Sequence, residues 1–277
     1  MPELPEIETV RRVVGPQIIG RRVTDVSVRH PDVVENLDPD GFRERLIGRT
    51  FTDMARRGKF LTAHLDDGSR MVMHMRMTGC LVVAPSDHPE DPHTHIVISL
   101  QDGTEMRYSD VRRFGRFWLF GEDEEDKLSG ISKLGPEPFD PVFDAGYLEY
   151  RIGSSRRAIK ECLLDQEVVA GIGNIYSDEI LFNSGIDPRC TACLLDHDDR
   201  VCLAEEIPKT LGFFTEKNET TPEEWLNGKG REYRNTPFIR IYGHGGQPCP
   251  RCGTPMVRRI IGGRSSVSCP KCQAPRV

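Results

Sequence analysis

The sequence predicts a multidomain α+β fold: an N-terminal β-sandwich with flanking helices, a helical second domain and a C-terminal zinc-finger β-hairpin. Three observations predict it. Short alternating apolar segments separated by turn dipeptides run from Val23 to about Phe120, helix-length patterns follow a proline-rich break, and two Cys-x-x-Cys pairs lie beyond them. These shifts set expected boundaries at 1–130, 131–240 and 241–277.

Glu6 to Val14 reads as an amphipathic helix, because Ile7, Val10, Val13 and Val14 share a face; Pro5 suits the first turn and Gly15-Pro16 is expected to end it. Strands are expected at Val23–Val28, Leu61–Leu65, His95–Leu100 and Phe117–Phe120, with Asp67-Gly68 and Asp102-Gly103 as turns. Leu134-Gly-Pro-Glu-Pro138 and Asp140-Pro141 supply breakers between domains. Beyond them Ala158–Gln166, Ile175–Asn183 and Asp198–Phe214 are helix candidates. Asn174 follows the turn residues Gly171 and Gly173, where it is expected to cap the next helix while nearby amides bind phosphate.

The formal charge of −6 argues, taken whole, against a polyanion partner, yet the charge is uneven. From Trp225 to Val277 ten Lys or Arg face one acidic residue, Glu232, so a basic tail of +9 sits on a body of −15. No apolar run is long enough to span a bilayer and the start lacks the regions of a signal peptide, so a cytoplasmic protein is expected.

Cys249-Pro-Arg-Cys252 and Cys269-Pro-Lys-Cys272, with 16 residues between them, match a structural zinc ribbon. Four thiolates close the tetrahedron around one Zn2+ and leave no place for an activated water, so the ion is structural. Cys190-Thr-Ala-Cys193 lacks a second pair and reads as two ordinary cysteines. Between the zinc pairs Gly262-Gly263 permits a tight hairpin, and Arg264 beside it is the candidate phosphate clamp. Spacing alone suits a protein-binding or purely stabilising ribbon as well as a DNA-binding one.

The start Met1-Pro-Glu-Leu-Pro-Glu-Ile-Glu-Thr-Val-Arg-Arg12 closely resembles the formamidopyrimidine-DNA glycosylase family, and ordered matches continue through Arg57-Gly-Lys59, His74-Met-Arg-Met77, Asp110-Val-Arg-Arg-Phe-Gly115, Gly171-Ile-Gly-Asn-Ile-Tyr176 and Gly263-Arg-Ser. The resemblance implies a helix-two-turns-helix second domain that carries a lesion-recognition loop, and DNA held between domains. It implies a monomeric bacterial base-excision-repair enzyme, nucleoid-associated when acting, on double-stranded DNA with oxidised bases or abasic sites. Its two reactions are excision of oxidised purines and β,δ-elimination at the abasic sugar. With Met1 removed, Pro2 is the implied amine nucleophile and Glu3 the acid/base group, supported by Glu6. Lys59 is implied to contact the lesion nucleotide and its phosphate. His74 and Arg76 add phosphate contacts, and Met77, Arg112 and Phe114 fill the gap left by an everted base.

Departures lie in the lesion-recognition loop, where Asn218-Glu-Thr-Thr221 lacks the glycines that flank the threonines in the family and Lys229-Gly-Arg-Glu-Tyr233 replaces a Gly-Tyr-Phe-type segment, which leaves the preference for 8-oxoguanine open, and at Ser268, where the family commonly has an aromatic residue. The last is expected to loosen the finger's packing. An endonuclease VIII-like enzyme for oxidised pyrimidines and a non-catalytic zinc-finger DNA-damage binding protein are the alternatives. Leu4 and the Asp110–Gly115 motif favour the purine branch, and Pro2 with Glu3 favours an enzyme.

Overall fold

A computed structural model describes residues 2–274. In chain order its helices are α1 (Leu4–Ile18), α2 (Pro39–Leu46), α3 (Ala145–Ile152), α4 (Ile159–Leu164), α5 (Asn174–Asn183), α6 (His197–Lys217) and α7 (Pro222–Asn227). The strands are β1 (Val23–Val28), β2 (Phe51–Arg57), β3 (Phe60–Leu65), β4 (Arg70–His74), β5 (Gly79–Pro85), β6 (Thr94–Leu100), β7 (Thr104–Asp110), β8 (Arg116–Phe120), β9 (Val257–Ile261) and β10 (Arg264–Ser268). Among the described residues no helix is long and apolar enough to cross a membrane.

The chain divides into two compact units. The first holds residues up to Ser132 together with Asn218–Arg234. Its two antiparallel sheets run β1-β6-β7-β5 and β2-β3-β4-β8. The alternation read in the sequence buries one face of each sheet in a core that includes Val26, Phe51, Leu61, Met73, Ile98 and Phe117. Helix α1 adds Ile7, Val10, Val13 and Val14 to that core and does not stop at Gly15-Pro16. Pro16 removes a backbone donor only from the final turn, and fully buried Ile18 holds that turn in place.

The expected 131–240 domain also differs from the observed division, because 218–234 returns to the first unit. Trp225 of α7 is 1% exposed, and its Nε1 donates to Leu81 O of β5 at 2.9 Å. Tyr233 packs edge-on against it at 5.5 Å. This cover explains why β5 reads as a continuous apolar run rather than an alternating one: both of its faces are buried.

The second unit holds Lys133–Lys217 and the residues from Asn235 onward. Helix α5 is buried on nearly every side, Asp178 and Glu179 included, so its carboxylates need internal partners. Glu179 accepts the backbone N–H groups of Ile241 at 2.8 Å and Tyr242 at 3.0 Å. Asp178 accepts Lys160 Nζ at 2.6 Å, Ser266 Oγ at 2.7 Å and the Val267 N–H at 3.0 Å. Two side chains of one helix thus fix both the 240–242 segment and β10.

Candidate DNA-processing site

In the first unit the N-terminal residues are set by the start of α1. Glu3 is 1% exposed and extended (φ −111°, ψ −168°), and its N–H donates to Glu6 Oε2 at 2.8 Å. Pro2 is buried beside it. Met1, whose removal would bare the Pro2 amine, lies outside the described residues. One turn along, Glu8 binds Arg11, Arg12 and Arg56, the last at 3.1 Å. Burial alone would raise its pKa, but the hydrogen bonds from Arg11 and Arg12 and the charges of Arg11 and Arg56 hold it at about 2. Arg56 in turn donates to Gly58 O at 3.2 Å, tying the β2–β3 turn to α1. That turn is Gly58-Lys59 between paired Arg57 and Phe60, with Gly58 at φ +56°, a conformation that favours glycine. Lys59 is 7% exposed there.

Next to the turn, His74 pairs across the sheet with Phe60. Burial, then the charges of Arg76 and Lys59, pull its pKa down to about 3, so the ring is neutral at pH 7. Its Nδ1 accepts the Arg76 N–H at 3.0 Å, which leaves the proton on Nε2 as a donor. A neutral donor between two cations is suited to an anionic oxygen.

Met77 and Phe114 are 42% and 45% exposed, which is not how core residues sit. Arg112 joins them: its guanidinium lies over the Phe114 ring at 4.5 Å and its Nη1 donates to Met77 Sδ at 2.9 Å. The three occupy two loops, β4–β5 and β7–β8, that one carboxylate holds together. Asp110, fully buried, accepts the hydroxyl of Thr78, the Tyr108 hydroxyl at 3.0 Å, and the backbone N–H groups of Arg112, Phe114 and Gly115 at 3.1, 2.8 and 2.9 Å. Although burial opposes it, those donors hold its pKa below the ordinary carboxylate value. Each loop also contains a left-handed non-glycine residue, Arg76 at φ +54° and Arg113 at φ +56°. At Gly115 an added Cβ would fall 1.8 Å from the Tyr108 hydroxyl, so only glycine fits. The Asp110–Gly115 motif marked this stretch in the sequence, but it gave Asp110 itself no role. Its five donors come from its own strand and from the two loops, and the Thr78 hydroxyl reaches it from 32 positions away in the chain.

In the second unit Asn174 is the first residue of α5 and does not cap it. Gly173 takes the cap position with extended backbone (φ −129°, ψ −159°), which places Asn174 already inside the helix. Asn174 Oδ1 has no hydrogen-bond partner among the described residues. Arg264 is exposed and follows the two-residue turn Gly262-Gly263, at φ +53° and +73°, between paired Ile261 and Arg264. Ser268 is buried and its Oγ accepts Arg259 Nη1 at 3.3 Å.

The sulfurs of Cys249, Cys252, Cys269 and Cys272 all lie within 4.8 Å of one another, with Cys249–Cys272 at 3.9 Å and Cys252–Cys269 at 3.5 Å. Tetrahedral Zn–S bonds of about 2.3 Å require S···S separations near 3.8 Å, so the four thiolates fit one structural zinc ion. The N–H groups of Arg251 and Cys272 donate to Cys249 and Cys269 sulfurs at 3.4 Å, which supports the thiolate form.

Three family models match the chain. The formamidopyrimidine-DNA glycosylase N-terminal domain covers residues 1–117, the H2TH domain of the same family covers 134–222, and a zinc finger found in FPG and IleRS covers 246–275. A relative from Moorella thermoacetica named formamidopyrimidine-DNA glycosylase is 45% identical over 258 residues, 93% of this chain and 94% of the relative. Among solved structures, MutM in complex with DNA containing carbocyclic 8-oxo-G is similar with a TM-score of 0.89 at 31% identity, covering 99% of this chain and 100% of that one. Lactococcus lactis Fpg (MutM) bound to DNA with an oxidised pyrimidine is similar with a TM-score of 0.90 at 31% identity, over 99% of this chain and 100% of that one.

The His74 environment has a pH consequence. Its folded pKa of about 3 lies below the ordinary 6.5, so on acidification the unfolded chain takes up the proton first. The stability from neutral His74 is complete above pH 6.5 and is lost towards pH 3, at about 1.4 kcal/mol per pH unit. Melting of wild type and His74→Gln from pH 7 to pH 5 should show a flatter pH dependence in the variant by about 2 kcal/mol; parallel slopes would mean that the ring titrates alike folded and unfolded.

Proposed function

The chain belongs to the formamidopyrimidine-DNA glycosylase family, whose members are enzymes with glycosylase and abasic-site lyase activity, and from that premise we propose that it removes oxidised purines such as 8-oxoguanine and formamidopyrimidines from duplex DNA and then cuts the abasic strand. The observation that carries this reading is the exposed Met77-Arg112-Phe114 group, assembled in advance on a buried carboxylate. A base can be reached only when it leaves the stack, and unstacking costs a few kcal/mol unless something fills the gap. Met77 and Phe114 supply apolar fill, and Arg112 supplies donors for the orphaned base's edge.

With Met1 removed, Pro2 presents a secondary amine at the positive end of α1, where the helix field favours its neutral, nucleophilic form. Its lone pair forms a bond to the anomeric carbon as the glycosidic bond to the base breaks, and the amine's N–H proton passes to the departing base. Glu3 gives a proton to the opening sugar ring oxygen, leaving an iminium between Pro2 and the sugar. The iminium acidifies the adjacent C2′ proton, and its transfer to the Glu3 carboxylate expels the 3′ phosphate; a second elimination, with loss of the C4′ proton, expels the 5′ phosphate. Lys59 and neutral His74 hold the phosphate of the lesion nucleotide. In the second unit, the amides at the start of α5 with Asn174, and Arg264 on the hairpin, hold further phosphates.

Borohydride should trap the protein covalently on 8-oxoguanine or abasic duplex, and protein that keeps Met1 should not crosslink. Trapping that survives Met1 retention would place the nucleophile on a lysine.

Phe114→Ala should slow excision of a stacked lesion far more than strand cleavage at a preformed abasic site, where no base needs extrusion. Arg112→Ala should change the dependence on the opposite base by about 1 to 3 kcal/mol, the cost of an unmade bond to a buried partner. If both activities fall in parallel with melting temperature, and opposite-base preference is untouched, the triad serves only the fold.

A further inference from the structure

The second unit carries a feature that the DNA chemistry does not use. Between α6 and the turn Thr236–Phe238 lies a cavity of about 490 Å³ lined chiefly by Phe213, Phe214, Pro237 and Phe238, with Asn183 and Arg240 at one side. Phe213 and Phe238 are 43% and 38% exposed, so two aromatic rings meet solvent around one concavity.

The charge around it is one-sided. Lys217 Nζ stands 5.5 Å from the Phe213 ring and 5.1 Å from the Phe238 ring. The Arg240 guanidinium is held by Asn183 Oδ1 at 2.7 Å, facing the cavity. Glu206, the acidic residue of the lining, is paired with Lys209. The negative C-terminal end of α5, at Asn183, is neutralised by Arg251, which donates to Phe182 O at 2.9 Å and Asn183 O at 3.3 Å. The lining and rim therefore carry a net excess of cations over an aromatic floor.

We infer that this cavity is a docking site for an acidic peptide segment of a partner protein that inserts one bulky apolar side chain. Carboxylates flanking that side chain meet Lys217 and Arg240, and the side chain replaces water over Phe213 and Phe238. A single-stranded nucleic acid would also seek cations and aromatics, but it needs flat ring faces on which bases stack. Here Phe213 and Phe238 meet edge to face at 87°, so they offer no parallel pair of faces for stacked bases. The site also lies at the opposite end of α5 from Asn174, about 14 Å along the helix.

The test uses the full-length, zinc-loaded protein and a fluorescein-labelled peptide, Asp-Glu-Asp-Asp-Leu-Phe, read by anisotropy, with Asp-Glu-Asp-Asp-Ala-Ala and a dT6 oligonucleotide as competitors. Saturable binding that weakens with salt is expected, with Lys217→Glu and Phe213→Ser each reducing affinity by at least about tenfold. Lys217 is exposed, so Lys217→Glu should keep the wild-type melting temperature, and nicking of abasic duplex should stay at wild-type values in both variants. No binding, binding indifferent to both variants, or equal competition by the alanine peptide would overturn the inference. Displacement by dT6 that is lost in the same variants would overturn it in favour of a nucleic-acid surface.

Discussion

The constraint on which the first unit's working surface depends is the buried carboxylate of Asp110 and the need to satisfy it. A carboxylate removed from water must find donors or lose its charge, and no cation is among those it finds here. It takes a tyrosine hydroxyl from its own strand, a threonine hydroxyl from one loop and three backbone N–H groups from another. Charge-assisted bonds of this kind are roughly twice as strong as neutral ones, and together they offset the left-handed backbone at Arg76 and Arg113. The loops are thereby fixed with Met77, Arg112 and Phe114 facing outward. A triad that must enter a base stack gains most when its geometry is set before DNA arrives.

The second unit uses the same device twice on one helix. Asp178 and Glu179 are adjacent and buried, and burial pushes the pKa of each up, against the partners that favour the charged form. Asp178 draws in β10 and the buried Lys160, while Glu179 gathers the backbone at 240–242. A buried ion pair such as Lys160–Asp178 contributes little net stability compared with apolar packing. Its effect here is on register: it sets where β10 begins, and so where Arg264 is presented beyond the glycine turn. The zinc site fixes the other end of the same hairpin, since Cys269 directly follows β10.

The features legible in the sequence were those whose cause is local. The two Cys-x-x-Cys pairs, the Gly262-Gly263 turn, the alternation of β1 and β6 and the apolar face of α1 each follow from residues a few positions apart. What escaped depends on burial and backbone geometry that only the folded chain displays. Strand β5 showed no alternation because Trp225, 144 positions away, covers its second face. Helix α1 runs past Gly15-Pro16 because the burial of Ile18 outweighs one lost hydrogen bond, and Gly173 rather than Asn174 holds the cap through an extended backbone that composition does not reveal. Asp110 read as an unremarkable acid at the end of a strand. The roles of Pro2, Glu3, Lys59 and the triad came from family resemblance, since nothing in their spacing separates them from surface or core residues.

The most direct measurement is the ratio of two rates in Asp110→Asn, excision of 8-oxoguanine from duplex and cleavage of a preformed abasic site, on the folded protein. The asparagine keeps the shape but turns a donor toward N–H groups that need an acceptor, which costs about 1 to 3 kcal/mol. If Asp110 exists to hold the triad, excision should fall at least about tenfold while abasic-site cleavage stays within about twofold. An unchanged ratio, with both rates intact or both reduced together, would contradict the account.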